Sequence, residues 1–239
     1  MTSKQANLEA KRIVGIAAAG EVEDGMAVGL GTGSTANYAI IRIGERIREE
    51  EIAVVGVPTS YQSAIRARAA GIRVADLADY PELDLTIDGA DQVDAAFNVI
   101  KGGGAAHTRE KCVADASTRI LIVVDVTKVA DRLHMPVPVE VVPYAATGVA
   151  RHVGRLGGDA VIREGVKKDG PVITDNGNFI LDCAFGTIED PENLETSLNT
   201  IPGVLTSGLF TEYAEKMTVM VGGDGSYRIL TRSDRVPSR

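Results

Sequence analysis

The residues richest in chemistry lie between Leu83 and Lys111. An apolar run, Leu83-Asp84-Leu85-Thr86-Ile87, ends in Asp88-Gly89-Ala90-Asp91. After a spacer come Ile100-Lys101-Gly102-Gly103-Gly104-Ala105-Ala106 and then His107-Thr108-Arg109-Glu110-Lys111. Two acids at the end of a strand, a lysine leading into glycines and a glutamate entering a helix are groups suited to proton transfer. A lysine near carboxylates stabilises their ionised form and supports a developing oxyanion. The N–H groups of Gly102, Gly103 and Gly104 are expected to donate to the same oxyanion, and Glu110 to act as general base. Each acid also has a plainer role open to it, Asp88 and Asp91 as turn caps and Glu110 as a favourable charge at a helix N-terminus. Their joint occurrence with Lys101 and the glycines favours chemistry.

A second turn, Gly29-Leu30-Gly31-Thr32-Gly33-Ser34-Thr35, sits between an apolar strand and a helix. Its glycines let successive N–H groups converge on an anion, the helix N-terminus adds partial positive charge, and Thr32, Ser34 and Thr35 add hydroxyl donors. A dinucleotide site would instead want G-x-G-x-x-G and an acid closing the second strand. Here Ser34 stands in place of the last glycine, and the second strand ends in Val57-Pro58-Thr59-Ser60. G-x-x-x-x-G-K-[ST] is also lacking, so a single phosphate is the expected ligand.

The elements that must position these groups alternate. Helical spacing predicts a helix from Leu8 to Ala19 with Leu8, Val14 and Ala18 apolar, and another carrying Ile40, Ile43 and Ile47. Strands are predicted over Met26–Leu30, Ile52–Val57, Ile72–Leu77, Leu83–Ile87 and Ile120–Asp125, with helices after Ser60 and over Thr108–Ala116. Such alternation implies a parallel sheet that binds ligands at its carboxyl ends. Beyond His134 the pattern changes. Met135-Pro136-Val137-Pro138-Val139-Glu140-Val141-Val142-Pro143 suits an edge strand entering a second unit, followed by a helix over Thr147–Leu156, strands at Ala160–Glu164 and Phe179–Asp182, and a helix capped by Asp190-Pro191. A hairpin over Met217–Val221 and Tyr227–Leu230 returns to the first unit. The fold class expected is α/β, an open, mostly parallel sheet with helices on both faces, plus a smaller inserted α+β (ferredoxin-like) domain. Residues 1–133 and 207–239 form the catalytic domain and 134–206 the small one.

The 239 residues carry a formal charge of −8, which argues against a nucleic-acid partner. The basic C-terminal stretch with Arg228, Arg232, Arg235 and Arg239 reads as a solvated tail. No apolar run is long enough for a transmembrane helix, and the N-terminus lacks the apolar core of a secretory signal. Cys112 and Cys183 are expected to be buried, reduced thiols, and His107, His134 and His152 show no metal-ligand spacing. A cytoplasmic enzyme without metal or cofactor is expected.

At Gly31-Thr32-Gly33-Ser34-Thr35, Asp88-Gly89-Ala90-Asp91, Lys101-Gly102-Gly103-Gly104-Ala105 and Thr108-Arg109-Glu110-Lys111 the sequence resembles type A ribose-5-phosphate isomerases. The resemblance continues through Pro138-Val139-Glu140-Val141, Thr174-Asp175-Asn176-Gly177-Asn178 and Ile201-Pro202-Gly203-Val204, and so covers nearly the whole chain. It implies interconversion of ribose 5-phosphate and ribulose 5-phosphate in the pentose phosphate pathway, without metal or organic cofactor, by a homodimer or homotetramer. By the same resemblance, Thr32, Gly33, Ser34 and Thr35 hold the phosphate. Asp88, Gly89, Ala90, Asp91, Lys101, Gly102, Gly103 and Gly104 line the sugar site, Glu110 is the catalytic base, and Lys128 and Lys11 bind substrate. Asp88, Asp91 and Lys101 are assigned to ring opening. His107 replaces an apolar residue of the relatives, and a supporting or surface role is expected for it. Competing readings are an amino-sugar phosphate deaminase, a sugar-phosphate sensor, which would want a DNA-binding module, and an NAD-dependent oxidoreductase, which would want the missing strand-end acid.

Overall fold

The structure, a computed structural model, describes residues 3–230. Arg228 is exposed on the last strand, and the rest of the basic stretch, Arg232, Arg235 and Arg239, lies outside the described residues. The chain divides into two compact units. The first runs to Ala90, resumes over Arg109–Val129 and again from Tyr213; the second comprises Asp91–Thr108 and Ala130–Glu212.

Elements are numbered in chain order through both units. In the first, seven strands form one sheet: β1 (Ala27–Leu30), β2 (Val55–Pro58), β3 (Arg73–Val74), β4 (Leu83–Asp88), β7 (Ser117–Asp125), β13 (Met217–Gly223) and β14 (Ser226–Leu230). Their order is β14-β13-β7-β4-β1-β2-β3. Neighbours are parallel except for the β13–β14 hairpin, which is antiparallel and closes one edge. Helices α1 (Ser3–Ala19), α2 (Ser34–Glu50), α3 (Tyr61–Ala69) and α4 (His107–Asp115) accompany the sheet.

Because side chains alternate across a strand, β1 serves two cores. Val28 and Leu30 pack with Val14 and Ala18 of α1 and Ile40 and Ile43 of α2, while Ala27 packs with Val57, Leu83 and Val113 of α4. Both faces of the sheet are therefore covered. The buried face of α1 is set by Ala10, Val14 and Ala18. Leu8 falls off that stripe and is 56% exposed, contrary to expectation. The expected Ile72–Leu77 strand shrinks to two residues at the sheet edge.

Chain order places the ligand end. After β1 the chain proceeds outward through β2 and β3, then crosses to the other side of β1 for β4. That reversal leaves a crevice at the carboxyl ends of β1 and β4. The turn from Gly31 to Thr35 follows β1, and Asp88-Gly89-Ala90 follows β4.

The second unit holds two antiparallel sheets. One contains β8 (Val137–Val141), β9 (Asp159–Ile162), β10 (Phe179–Ala184) and β11 (Val204–Ser207) in the order β11-β8-β10-β9; with α5 (Ala146–Arg155) and α6 (Pro191–Asn199) the chain order is βαββαβ, a ferredoxin-like arrangement. Val137, Val139 and Val141 of β8 pack with Val149 and Val153 of α5 and Leu198 of α6. The side chain of Asp190 caps α6 by accepting from Asn193 N–H at 3.1 Å, as expected. β8 is an interior strand, not the edge strand its prolines suggested. Pro138 is tolerated because the ladder with β11 ends at the Val139–Ser207 pair, so no N–H is wanted there. The other sheet is β12-β6-β5, built from β5 (Gln92–Val93), β6 (Val99–Ile100) and β12 (Leu209–Phe210). The pairing of β6 with β12 is why Asp91–Thr108 belongs to this unit, which takes in more chain than the expected 134–206.

Candidate active site

In the first unit, the phosphate-type turn and Asp88 are built against each other. Asp88 is 2% exposed, and its Oδ1 accepts N–H hydrogen bonds from Thr32 at 3.1 Å and Gly89 at 2.7 Å. Only glycine fits at position 31, since a Cβ there would lie 2.1 Å from Asp88 Oδ1. The Thr32 hydroxyl donates to Ser60 Oγ at 2.6 Å and lies 2.8 Å from Thr59 Oγ1, fastening the turn to the end of β2. Thr32 is thus an anchor of the turn through both its amide and its hydroxyl. The first turn of α2, from Ser34, follows Gly33, which offers no side-chain cap. Backbone N–H groups at such a helix start can be satisfied by an anion. A cavity of about 340 Å³ opens there, lined by Gly33, Ser34, Asn37, Tyr38, Gln62 and Arg66. A larger one, about 720 Å³, is lined by residues including Tyr61, Arg68, Arg109 and Cys112 and holds none of the predicted site residues.

Asp125, at the carboxyl end of β7, ties both predicted lysines to that end. Asp125 is 1% exposed; its Oδ2 lies 3.8 Å from Lys11 Nζ, and its Oδ1 accepts from the amide and hydroxyl of Thr127, shaping the 3₁₀ turn that carries Lys128. Glu110 occupies the first turn of α4 and is 4% exposed.

In the second unit, the loop after β6 organises Asp91 and Lys101. The backbone of Asp91 donates to Ile100 C=O at 2.8 Å, and that of Lys101 donates to Gly208 C=O at 2.8 Å. Lys101 is buried, with Nζ 5.7 Å from the ring centroid of Phe210, within cation–π range. Asp91 Oδ2 accepts Gly103 N–H at 2.6 Å. That amide therefore serves a carboxylate and not an oxyanion, which departs from the expectation. His107 is fully buried, with Nε2 3.2 Å from Thr206 C=O, so a surface role is ruled out.

Several residues that matter here were not singled out from sequence. Thr59 and Ser60 were visible as hydroxyls at a strand end and could have been paired with Thr32. Glu140 is the acid of an otherwise apolar strand, a pattern that demands donors. It is fully buried and accepts from Thr108 Oγ1, Thr174 Oγ1 at 2.7 Å, Asn176 Nδ2 at 3.1 Å and Asn178 Nδ2 at 2.9 Å. Burial pushes its carboxyl up, but those hydrogen bonds outweigh it and hold the group below its ordinary value. Of the cysteines, Cys183 is buried as expected, and Cys112 is exposed, contrary to expectation, facing the larger cavity.

An open, mostly parallel α/β sheet with a glycine turn and a buried carboxylate built together at its switch point defines an α/β protein with a ligand crevice at the carboxyl ends of its strands. Residues 55–225 match the model of the family ribose 5-phosphate isomerase A (phosphoriboisomerase A). The chain is 54% identical over 228 residues to ribose-5-phosphate isomerase A of Methanoregula boonei, covering 95% of this chain and 96% of the relative. Two solved structures superpose with a TM-score of 0.90. One is ribose 5-phosphate isomerase A from Methanocaldococcus jannaschii, 42% identical, with 94% of this chain and 99% of that one covered. The other is a D-ribose-5-phosphate isomerase in complex with phospho-erythronic acid, 44% identical, with 94% and 98% covered. The chain belongs to the ribose 5-phosphate isomerase A family.

Proposed function

We propose that the protein interconverts D-ribose 5-phosphate and D-ribulose 5-phosphate by proton transfer through a cis-enediolate, as part of the non-oxidative pentose phosphate pathway. The observation that carries this reading is the joined construction of the anion turn and Asp88 at the β1/β4 switch point, in a chain whose relatives bear that activity in their names. The phosphate is received by Gly33, Ser34 and Thr35 at the start of α2, with Lys11 and Lys128 supplying positive charge. Asp88, with Asp91 and Lys101, moves the proton between ring oxygen and anomeric hydroxyl that opens the furanose. Glu110 takes the proton from C2 of the open aldose and returns it to C1. The negative charge that develops on the enediolate oxygen is met by Lys101, a kind of interaction worth about 3–4 kcal/mol for one well-placed donor.

A related protein binding phospho-erythronic acid fits this scheme, because a carboxylate on a phosphorylated four-carbon chain has the planarity and charge of an enediolate. The direct test is conversion of ribose 5-phosphate to ribulose 5-phosphate with EDTA present, alongside glucosamine 6-phosphate. Ketose formation insensitive to EDTA, without ammonia release, is the expected result. Ammonia release from glucosamine 6-phosphate, without ribulose 5-phosphate from ribose 5-phosphate, would replace this reading by a deaminase.

A further inference from the structure

Arg163 has no place in the scheme above, yet its side chain is among the most fully engaged in the second unit. It follows β9, and its backbone is held on both sides, donating to Ile180 C=O at 2.9 Å and accepting from Val172 N–H at 2.8 Å. The guanidinium is gripped in a fork by Asp182, with Nε 2.9 Å from Oδ2 and Nη2 on Oδ1. The remaining nitrogen, Nη1, donates to Gly102 C=O at 2.7 Å and Gly103 C=O at 3.1 Å. A planar fork fixed by a carboxylate on one side and aimed at two carbonyls on the other is an orientation device that lysine cannot reproduce.

What it orients follows from peptide geometry. The Gly102–Gly103 peptide is trans and planar, so its C=O and N–H point in opposite directions. Its carbonyl is taken by Arg163, and its N–H is taken by Asp91 Oδ2 at 2.6 Å. One peptide plane is thereby clamped between a cation and an acid. Neither glycine tolerates a side chain: Gly102 has φ +105°, and a Cβ on Gly103 would lie 2.5 Å from Asp91 Oδ1. Within the loop the same Gly102 C=O also accepts Ala105 N–H at 2.9 Å, so a local turn bond and the outside grip together fix that plane.

We propose that Arg163 is a positioning residue for Asp91: held by Asp182, it fixes the Gly102–Gly103 peptide so that the Gly103 N–H orients the Asp91 carboxylate for catalysis. The catalytic part rests on the isomerase reading given above; the clamp itself does not. The test combines amide hydrogen exchange with kinetics. In ¹⁵N-labelled protein, Gly103 N–H is protected in the wild type and exchanges faster in Arg163→Ala and Asp182→Asn. Arg163→Ala lowers kcat roughly tenfold to a hundredfold, the scale expected when a reacting group is misplaced by about an ångström, with little change in KM. Added methylguanidinium restores part of that loss. In an Asp91→Asn background the same substitution costs less than about twofold, because interacting sites do not contribute independently. Should Arg163→Ala fail to fold, Arg163→Lys carries the same measurements. Unchanged Gly103 exchange, or an Arg163 loss equally large without the Asp91 carboxylate, overturns the proposal. A wild type inactive on ribose 5-phosphate overturns the isomerase reading and with it the catalytic role, while Gly103 exchange still decides the clamp.

Discussion

Glu110, Asp88 and Asp91 are all carboxylates, and their surroundings separate them. Asp88 accepts two backbone N–H groups beside the phosphate turn, Asp91 accepts one from the glycine loop, and Glu110 stands in the first turn of a helix. A group held by amides keeps a fixed direction toward its partner, which suits Asp88 to moving a proton along one line. The two thiols are separated in the same way. Burial, with Asp182 and Asp159 nearby, pushes the Cys183 thiol up to about 12, whereas Cys112 is exposed. Since the thiolate is the reactive species, iodoacetamide at pH 8 should alkylate Cys112 and spare Cys183 in the folded protein. Mass spectrometry of the labelled peptides checks this, and equal labelling would contradict the burial of Cys183.

At the scale of elements, the turn after β1 depends on close approach. Gly31→Ala forces a Cβ into Asp88 and displaces either the carboxylate or the turn. A loss of roughly 10²-fold in kcat/KM is expected from such a shift, measured as ribulose 5-phosphate formation. The interior strand β8 depends on Glu140 in the same way. Glu140→Ala leaves the side chains of Thr174 and Asn178 without the Glu140 acceptor, at a cost of at least about 2–3 kcal/mol. The sign with pH follows from the lowered carboxyl: its stabilisation is fully present above the ordinary value of 4.5 and is lost as pH falls through the lower folded value. Urea unfolding of wild type and Glu140→Ala at pH 7 and pH 3 should therefore show a gap that narrows in acid. How far sequence reaches is plain from these two places. The alternation of strands and helices in the first unit, the glycine turn and the Asp88 motif could be read from spacing, because each rests on local preference, whereas the short β5, β6, β11 and β12 could not. The Glu140 cage could not, since its donors come from Thr108 and Thr174–Asn178 and meet only through tertiary folding. Prolines misled for β8, because Pro138 lies just past the end of one ladder, which the strand's own sequence does not reveal.

At the scale of the whole molecule, each unit has its own apolar core, and function asks that the carboxyl ends of β1 and β4 stay in register. Ile43 on α2 is fully buried among Val14, Val28, Leu30 and Ile87. Ile43→Ala should destabilise the first unit by about 2–5 kcal/mol, read from urea unfolding followed by circular dichroism. A change below about 1 kcal/mol would mean the core is looser than this packing. In the proposed reaction the helix N-terminus and the lysines of the site offset the chain's charge of −8 toward a small anion.

In the proposed reaction Glu110 shuttles a proton between C2 and C1 of an open sugar phosphate. Incubation of the protein with ribose 5-phosphate and EDTA in D₂O, followed by ¹H NMR, tests it most directly. Where the proton on Glu110 exchanges with solvent before its return, the wild type yields ribulose 5-phosphate with deuterium at C1, and Glu110→Gln forms the ketose roughly 10²–10⁴-fold more slowly. Glu110→Gln turning over at the wild-type rate would contradict it.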